Sequence, residues 1–292
     1  MNVAVVGCGL MGGSLAKALL MNGHNVTIVD SNEKVLEKFV KGSVQYSPSL
    51  DNVKNIEVIV FNLPNNSITK TILSNLKTDI IADKFVINTT TSTPNEVIEL
   101  EKIITSKGGS FLDCKIEVYP EDVGPEHGYL IYSGNENVFN ATLPVLKSWS
   151  ENPDYLGSTV AAASIIDDSV IAELHIAVYV AMLDAIALSA KHGFPMEKLF
   201  EMIDQIWGFN GATARHLKET FLNGIPEELP DASGAFLSTE KIGLTVARNA
   251  IAECGNNTAL CDSLLTLFSQ AVEAGYGSKE MAALINVIHQ TK

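Results

Sequence analysis

Cysteine and positive charge are both scarce in this sequence of 292 residues. The four cysteines form no Cys-x-x-Cys pair and no Cys/His cluster with zinc spacing, so we expect neither a disulfide framework nor a metal site. Twenty basic side chains stand against thirty-four acidic ones, a net charge of −14. Nucleic acids and anionic membrane surfaces need Lys and Arg, so this balance disfavours both as partners. Small molecules or other protein subunits are the expected partners.

Long uncharged apolar runs are also missing. The most apolar segment, 170–190, carries Glu173, His175 and Asp184, and a membrane span rarely tolerates three such groups. The chain begins directly with a strand pattern, without the basic and apolar regions of a signal peptide. The sequence therefore predicts a cytoplasmic protein without a membrane segment.

The two halves of the chain differ in pattern. In the first, short β-branched runs at 2–6, 25–29, 58–62, 85–88 and 110–113 alternate with helical patterns, which predicts βαβ units and a doubly wound parallel sheet. From 159 to 191 no Pro or Gly interrupts a helical pattern, and only helical stretches follow. We therefore expect an α/β protein with a Rossmann dinucleotide-binding domain over 1–158. A long interdomain helix and an all-helical substrate and dimerisation domain are expected over 159–292.

A glycine-rich turn follows the first strand at once. Gly7, Gly9 and Gly12 match G-x-G-x-x-G between a strand and a helix, the context in which this motif binds a dinucleotide. Gly7 permits the tight turn, Gly9 lets the pyrophosphate approach the backbone, and Gly12 permits close helix–strand packing. The helix start favours the anion through its free N–H groups and its dipole.

Asp30 ends the second strand, where a carboxylate can bind the adenosine ribose hydroxyls. It would repel a 2′-phosphate, and no Arg follows it, which favours NADH; Ser31 and Lys34 are still able to bind such a phosphate. Leu63, Pro64, Thr90 and Thr91 follow later strands at the same edge of the sheet, where ligands bind. The hydroxyl run before Pro94 is equally typical of a helix N-cap. The complete set of predicted cofactor contacts is Gly7, Gly9, Leu10, Met11, Gly12, Asp30, Ser31, Lys34, Leu63, Pro64, Thr90 and Thr91.

Over nearly its whole length the chain resembles the 3-hydroxyisobutyrate dehydrogenase-like (β-hydroxyacid dehydrogenase) superfamily, and within it the imine reductases. The fingerprint at 7–12 is common to both branches. The segments 111–116 with 119–124, 130–134, and 274–277 with 281–285 resemble imine reductases in particular. The resemblance implies a 6-phosphogluconate dehydrogenase-like C-terminal domain, a domain-swapped homodimer and a precedent for NADPH.

The resemblance also assigns a catalytic position on the long helix. Hydroxyacid dehydrogenases have a Lys there, whereas this chain has Asp167, as imine reductases often do. A carboxylate can stabilise an iminium cation or relay a proton, and an ammonium would repel that cation. Thr159 departs from the acidic residue of the family pattern. The alternative for Asp167 is a solvated acid near a helix start.

Further site residues follow from α-helical spacing and from the family. Asp167 and His175 would bracket a small substrate over Ile171 and Leu174, about 12 Å apart at 1.5 Å per residue; His175 is a second candidate proton donor. Trp207 resembles the family's aromatic substrate wall, and Tyr119 is a weaker substrate contact. Core packing is the alternative for His175, Trp207 and Tyr119. By the same spacing Asp168 and Glu173 point away from Asp167 and are structural, while Lys115 and Glu117 hint at a charged substrate.

These observations predict an NAD(P)H-dependent imine reductase that transfers hydride to the C=N bond of an imine or iminium, and a cyclic imine is the expected substrate. One alternative is a β-hydroxyacid dehydrogenase of the 3-hydroxyisobutyrate type, although this chain lacks the helical Lys of that branch. The other is a dinucleotide-binding protein without turnover.

Overall fold

The computed structural model describes residues 1–39, 42–191, 193–207, 212–226, 228–229, 235–253 and 258–289. The chain divides into two compact units, Met1–Asp168 and Ser169–Lys292. This division comes later than the boundary at 158/159 expected from the sequence. The added residues belong to the first unit because Ser164 Oγ donates to Asp113 Oδ2 at 3.0 Å and Ala163 N donates to Ser133 Oγ at 2.9 Å.

The first unit is built on an eight-stranded sheet with the order β3-β2-β1-β4-β5-β6-β7-β8. All neighbouring strands are parallel except β6 and β7. The predicted doubly wound fold is confirmed. The strands are β1 Asn2–Val6, β2 Asn25–Val29, β3 Gln45–Ser47, β4 Val58–Phe61, β5 Phe85–Asn88, β6 Ser110–Ile116, β7 Leu130–Gly134 and β8 Asp154–Tyr155.

One strand differs from its prediction in a way that affects the site. The sequence ended β6 at Asp113, but the strand continues to Ile116 and pairs antiparallel with β7. Lys115, which hinted at a charged substrate, is 2% exposed within the sheet. The strands β3 and β8 have three and two residues, too few to show a hydrophobic period.

Helices cover both faces of the sheet. Because successive strand residues point to opposite faces, Val3 and Val5 pack with Leu15 in one apolar cluster, while Ala4 packs with Leu100 in another. The helices of this unit are α1 Leu10–Met21, α2 Asn66–Asn75, α3 Thr78–Ile81, α4 Pro94–Ser106, α5 Glu136–Leu146 and α6 Ala162–Ile166, with 3₁₀ segments at Glu33–Lys38, Leu50–Asn52 and Pro120–Asp122.

The long helix expected over 159–191 is helical from Ala162 to Lys191, but it is not α-helical throughout. After α6 the segment Asp167–His175 is a π-helix, and α7 then runs over Ile176–Lys191. A π-helix has i→i+5 hydrogen bonds and so turns less per residue than an α-helix. The α-helical spacing used to predict which side chains share a face with Asp167 therefore does not apply here.

All elements of the second unit that the structure describes are helical. Its core packs Leu183 and Ile186 of α7 with Phe200 and Phe268 of two other helices. The remaining helices are α8 Met196–Trp207, α9 Ala212–Phe221, α10 Leu237–Glu253, α11 Ala259–Ala271 and α12 Ile285–Ile288, with a π segment Val272–Tyr276 and a 3₁₀ segment Met281–Leu284. Among the described residues, no helix combines the length and apolar character that crossing a bilayer requires.

Candidate active site

The glycine-rich turn joins β1 to α1 at the point where the strand order reverses between β1 and β4. Gly7 has φ +88°, and a Cβ there would lie 2.2 Å from Asn62 O; a Cβ on Gly12 would lie 2.0 Å from Gly7 O. By contrast, a Cβ on Gly9 would have no atom within 4 Å. Two glycines are thus required by packing, and the third faces open space.

Asp30 and Lys38 hold this turn from the neighbouring strand and 3₁₀ segment. Asp30 Oδ2 accepts a hydrogen bond from Cys8 N at 2.8 Å, and Lys38 Nζ donates to Cys8 O at 3.0 Å and Gly9 O at 2.7 Å. The other carboxylate oxygen of Asp30 accepts from Asn32 N at 2.8 Å. Sequence reasoning missed Lys38, because only the turn after β2 brings it to the glycines.

The other predicted cofactor contacts are spread along the same edge of the sheet. Leu63 N donates to Thr90 Oγ1 at 3.0 Å, so the turn after β4 is tied to the turn after β5. Thr90 is 1% exposed and its hydroxyl is engaged in this bond. Thr91 and Pro64 are exposed, Leu10 is 45% exposed, and Met11 is half-buried; Ser31 and Lys34 are exposed beyond Asp30.

The hydroxyl run before Pro94 serves as a helix cap. Thr93 and Glu96 form a reciprocal capping box at the start of α4, and Pro94 is the first helical residue. Ser92 Oγ donates to Thr90 O at 2.6 Å. Thr91 is the exposed member of the run, so it is the hydroxyl most available to a ligand.

The residues around the glycine turn fit the diphosphate of a dinucleotide. Helix α1 begins at Leu10, and its N-cap residue Gly9 has no side chain to cap it, so the first N–H groups of the helix remain available to an anion. Gly9 leaves room for that anion, and Lys38 adds a cation beside the turn. The alternative is a turn whose glycines serve only packing, and such a turn would not need a glycine at position 9.

A buried ion pair lies at the carboxyl end of β5 and β6. Lys115 Nζ donates to Asp113 Oδ1 at 2.9 Å and to Thr90 O at 3.1 Å, with Ser92 Oγ at 3.5 Å. The exposed fractions of the Lys115 and Asp113 side chains are 2% and 0%. Asn88 Nδ2 also donates to Asp113 Oδ1, at 3.0 Å. Burial alone would lower the pKa of Lys115, but the carboxylates of Asp113 and Asp167 outweigh it and raise that pKa.

The charge of Lys115 also affects the pKa of three further carboxyl groups. Burial raises the pKa of Asp167 to about 6, against the lowering effect of the Lys115 charge. Burial and the Asp167 charge raise the pKa of Glu117 to about 8 and that of Asp168 to about 8. Clefts hold acids with such shifted pKa values when they serve as proton donors near neutral pH.

The interpretation of Asp168 as a structural residue facing away from Asp167 is wrong. Asp168 is 4% exposed, and the charges of Asp167, Lys115 and Asp113 all affect its pKa. The π-helical backbone explains the error, because consecutive residues there are separated by a smaller rotation than in an α-helix. Both Asp167 and Asp168 therefore belong to the charged cluster.

The remaining predicted site residues lie mostly in the second unit. His175 is half-buried, burial lowers its pKa, and its ring centroid is 6.4 Å from that of Tyr179. Ile171 is half-buried and Leu174 is 56% exposed. Trp207 ends α8, and its side chain lies outside the described residues. In the first unit, Tyr119 is 39% exposed just before the Pro120–Asp122 segment.

Comparisons with known proteins agree on one family. The model of the NAD binding domain of 6-phosphogluconate dehydrogenase matches residues 2–157. A mitochondrial 3-hydroxyisobutyrate dehydrogenase of Drosophila melanogaster is 25% identical, covering 100% of this chain and 90% of that protein. An NADPH-dependent reductive aminase of Aspergillus oryzae is 23% identical, covering 97% and 96%. The crystal structure of 3-hydroxyisobutyrate dehydrogenase from Salmonella typhimurium superposes with a TM-score of 0.81 at 20% identity, covering 98% and 99% of the two chains.

Proposed function

Since the chain belongs to the family of the 6-phosphogluconate dehydrogenase NAD-binding domain, we propose that it is an NAD(P)H-dependent reductase of C=N bonds. At the coarser level it is a nucleotide-dependent oxidoreductase. We propose that its substrate is an imine rather than a hydroxyacid, and we expect a small cyclic imine.

The protonation behaviour of Asp167 carries this proposal. Reduction of an imine needs a proton at nitrogen, and an acid whose pKa is raised to about 6 can both hold and release that proton near neutral pH. Its ionised form would stabilise an iminium cation. Lys115 is fully engaged by Asp113 and Thr90, so it does not present a free ammonium to repel the iminium.

The first unit supplies the cofactor contacts. A bound nicotinamide cofactor supplies the hydride. The N–H groups at the start of α1 would bind its pyrophosphate, with Lys38 beside them, and Asp30 would meet the adenosine ribose. Asp30 favours NADH, while the reductive aminase relative is named for NADPH. His175 is the second proton donor that we propose, with Ile171, Leu174 and Tyr119 as substrate contacts.

We expect the protein to work as a homodimer, with Trp207 of each subunit lining the other subunit's site. The apolar side chains of Ile165 in the first unit and of Val170 and Leu174 in the second are 48%, 40% and 56% exposed, which favours coverage by another chain. Light scattering coupled to size exclusion tests this directly: a mass near 31.4 kDa would contradict it.

A β-hydroxyacid dehydrogenase is the second candidate, and Lys115 is the observation that favours it. This chain lacks the helical Lys of that branch, but the Lys115 ammonium lies close enough to Asp167 for its charge to shift that residue's pKa. In this candidate Lys115 would have to exchange Asp113 for the substrate oxygen.

The experiment follows NADH and NADPH absorbance in parallel with 1-pyrroline, and separately follows NAD⁺ and NADP⁺ with 3-hydroxyisobutyrate. Cofactor oxidation with the imine alone supports the reductase, and the faster cofactor tests the preference derived from Asp30. Turnover of the hydroxyacid alone would overturn the proposal in favour of the second candidate. Tight cofactor binding without turnover of either would favour a binding protein without catalysis.

A further inference from the structure

The short helix that precedes Asp167 is held on the sheet by polar contacts. Helix α6 has five residues, too few to be stable by itself, and its two isoleucines are exposed. Its buried residues are Ala163 and Ser164. Ala163 N donates to Ser133 Oγ of β7 at 2.9 Å, and Ser164 Oγ donates to Oδ2 of Asp113 on β6 at 3.0 Å. The place of α6 on the sheet therefore depends on two buried hydroxyl groups.

The contact made by Ser164 reaches Asp167 within one helical turn. Asp167 is the C-cap residue of α6, and its N–H donates to the carbonyl oxygens of Ala163 and Ser164. Its backbone is thus bonded to the residue whose side chain is bonded to Asp113. Asp167 also lies near Lys115, because the charge of Lys115 lowers the pKa of Asp167 and the charge of Asp167 raises the pKa of Lys115. A continuous path of contacts therefore joins the buried ion pair to the acid.

The same ion pair also reaches two turns that the sequence predicts as cofactor contacts. Lys115 Nζ donates to Thr90 O at 3.1 Å, and Thr90 Oγ1 accepts from Leu63 N at 3.0 Å. The turns after β4 and β5 are therefore joined to β6 at Lys115. Asp113, which bonds to Lys115 and to Ser164, connects this edge of the sheet to the helix that ends at Asp167.

We propose that Ser164 is a positioning residue for Asp167 and that Asp113 is the anchor through which it acts. The bond between Ser164 and Asp113 fixes the acid relative to the turns that would hold the cofactor. This inference rests on the proposed function, because a proton donor and a hydride donor must be held in a fixed geometry around the same C=N bond. Ser164 is 0% exposed, so it acts through Asp167 and does not touch the substrate.

Loss of the Ser164 hydroxyl should release Asp167 from its buried place. Burial is the largest cause of the pKa of about 6 at Asp167, so an acid freed from this environment returns toward its ordinary pKa of about 4. A smaller fraction of Asp167 is then protonated at neutral pH, and less acid is available to the imine nitrogen. The charged and titratable groups that interact with Asp167 are Asp113, Lys115, Glu117 and Asp168.

Carbon-13 NMR of the full chain, labelled at the aspartate carboxyl carbons, measures the pKa of Asp167 without any turnover. The signal of Asp167 is the one that disappears in Asp167→Asn. In Ser164→Ala we expect this pKa to fall from about 6 toward its ordinary value. We also expect kcat for 1-pyrroline at pH 7 to fall about tenfold or more. Cofactor affinity should be nearly unchanged, because the turn after β5 keeps its bond to Lys115.

A conservative variant and a matched control separate this role from a structural one. Ser164→Thr keeps a hydroxyl group at the position and should retain the pKa of Asp167 and the rate. Thr142→Val removes a different buried hydroxyl, which donates to Val138 O at 2.8 Å within α5, and should leave both unchanged. Cofactor affinity, measured by fluorescence, reports that each variant is folded. An unchanged pKa of Asp167 in Ser164→Ala, or an equal fall in Thr142→Val, would overturn the inference.

The outcome is distinguishable from the fate of the reductase itself, because the NMR titration needs no substrate. If 1-pyrroline is reduced but the pKa of Asp167 is the same with and without the Ser164 hydroxyl, the proposed function stands and this inference fails. If that pKa falls in Ser164→Ala while no imine is reduced by the unmodified protein, Ser164 does position Asp167 and the reductase proposal fails.

Discussion

Lys115 Nζ donates to Asp113 Oδ1 at 2.9 Å in a part of the sheet where both side chains are almost completely withdrawn from solvent. Asp113 is also bonded by Asn88 and Ser164, so the pair joins β5, β6 and α6. This ion pair therefore links three elements next to the cluster of acids that contains Asp167. Removing only one of the two partners would leave the charge of the other buried without compensation.

We expect Lys115→Met to lower the free energy of unfolding by about 3–5 kcal/mol, because Asp113 loses its cation. The double variant Lys115→Met/Asp113→Asn should recover much of this loss. Denaturant titration measures both. Lys70→Met, which removes the exposed ion pair with Glu99, is the control and should cost about 1 kcal/mol or less. A double variant no more stable than Lys115→Met would contradict the coupling.

Asp167→Asn should lower kcat for imine reduction by a factor of about 10²–10⁴, the usual contribution of a positioned proton donor. The amide keeps the size of the side chain but cannot supply the proton. Cofactor affinity should be unchanged, since the glycine turn is not altered. Asp204→Asn, at an exposed acid of α8, is the control. Activity equal to that of the unmodified protein would remove Asp167 from the mechanism.

The rate of imine reduction should depend on pH in one direction. Asp167 must be protonated to donate, and burial raises its pKa to about 6, so kcat/KM should be high below that value and fall as pH rises through it. The apparent pKa belongs to the whole cluster because its carboxyls interact. The double variant Lys115→Met/Asp113→Asn removes one charge that lowers this pKa and one that raises it, so its profile does not test the role of Asp167. The test is Asp167→Asn, which should lose the decline altogether.

Stability should also respond to pH through Glu117 and Asp168. Their folded-state pKa values are raised to about 8, so the folded protein favours the protonated acids. Their stabilising effect is complete below their ordinary pKa of about 4 and is lost as pH rises toward about 8. Glu117→Gln should therefore raise Tm relative to the unmodified protein more at pH 8 than at pH 5, corresponding to roughly 1–3 kcal/mol. A larger gain at pH 5 would contradict the raised pKa.

Glycine replacements should separate folding from cofactor binding. Gly9→Ala meets no atom within 4 Å, so we expect a nearly unchanged Tm, but its methyl group would occupy the space of the pyrophosphate and weaken cofactor binding at least about tenfold. Gly12→Ala would place its Cβ 2.0 Å from Gly7 O and should lower Tm. Equal cofactor affinity in Gly9→Ala would exclude this turn as the pyrophosphate site.

Lys38→Met should weaken NADH and NADPH binding by similar factors of about ten. The reason is its place beside the carbonyls of Cys8 and Gly9, where the pyrophosphate common to both cofactors is expected. Fluorescence titration with each cofactor measures this, with Lys102→Met, at an exposed position of α4, as the control. A loss confined to NADPH would instead assign Lys38 to the 2′-phosphate.

Local patterns were sufficient for much of the fold. The strands at Asn2–Val6, Asn25–Val29 and Phe85–Asn88 match their predictions because buried parallel strands are continuous β-branched runs between turn residues. The need for glycine at position 7 is likewise local in origin, since φ +88° is accessible at low cost only without a Cβ. The roles of the predicted cofactor and substrate residues stay predictions.

Pairing and burial between distant segments decided the rest. The sequence alone determined a doubly wound sheet, its glycine turn and an acid at position 167, because each depends on residues that are close in the chain. Only the tertiary structure brought Lys38 to the glycine turn, extended β6 through Lys115 by pairing it with β7, and turned Asp168 toward the cluster through a π-helix. Whether a charged side chain faces water or a buried partner depends on contacts between remote residues, and no local pattern contains that information.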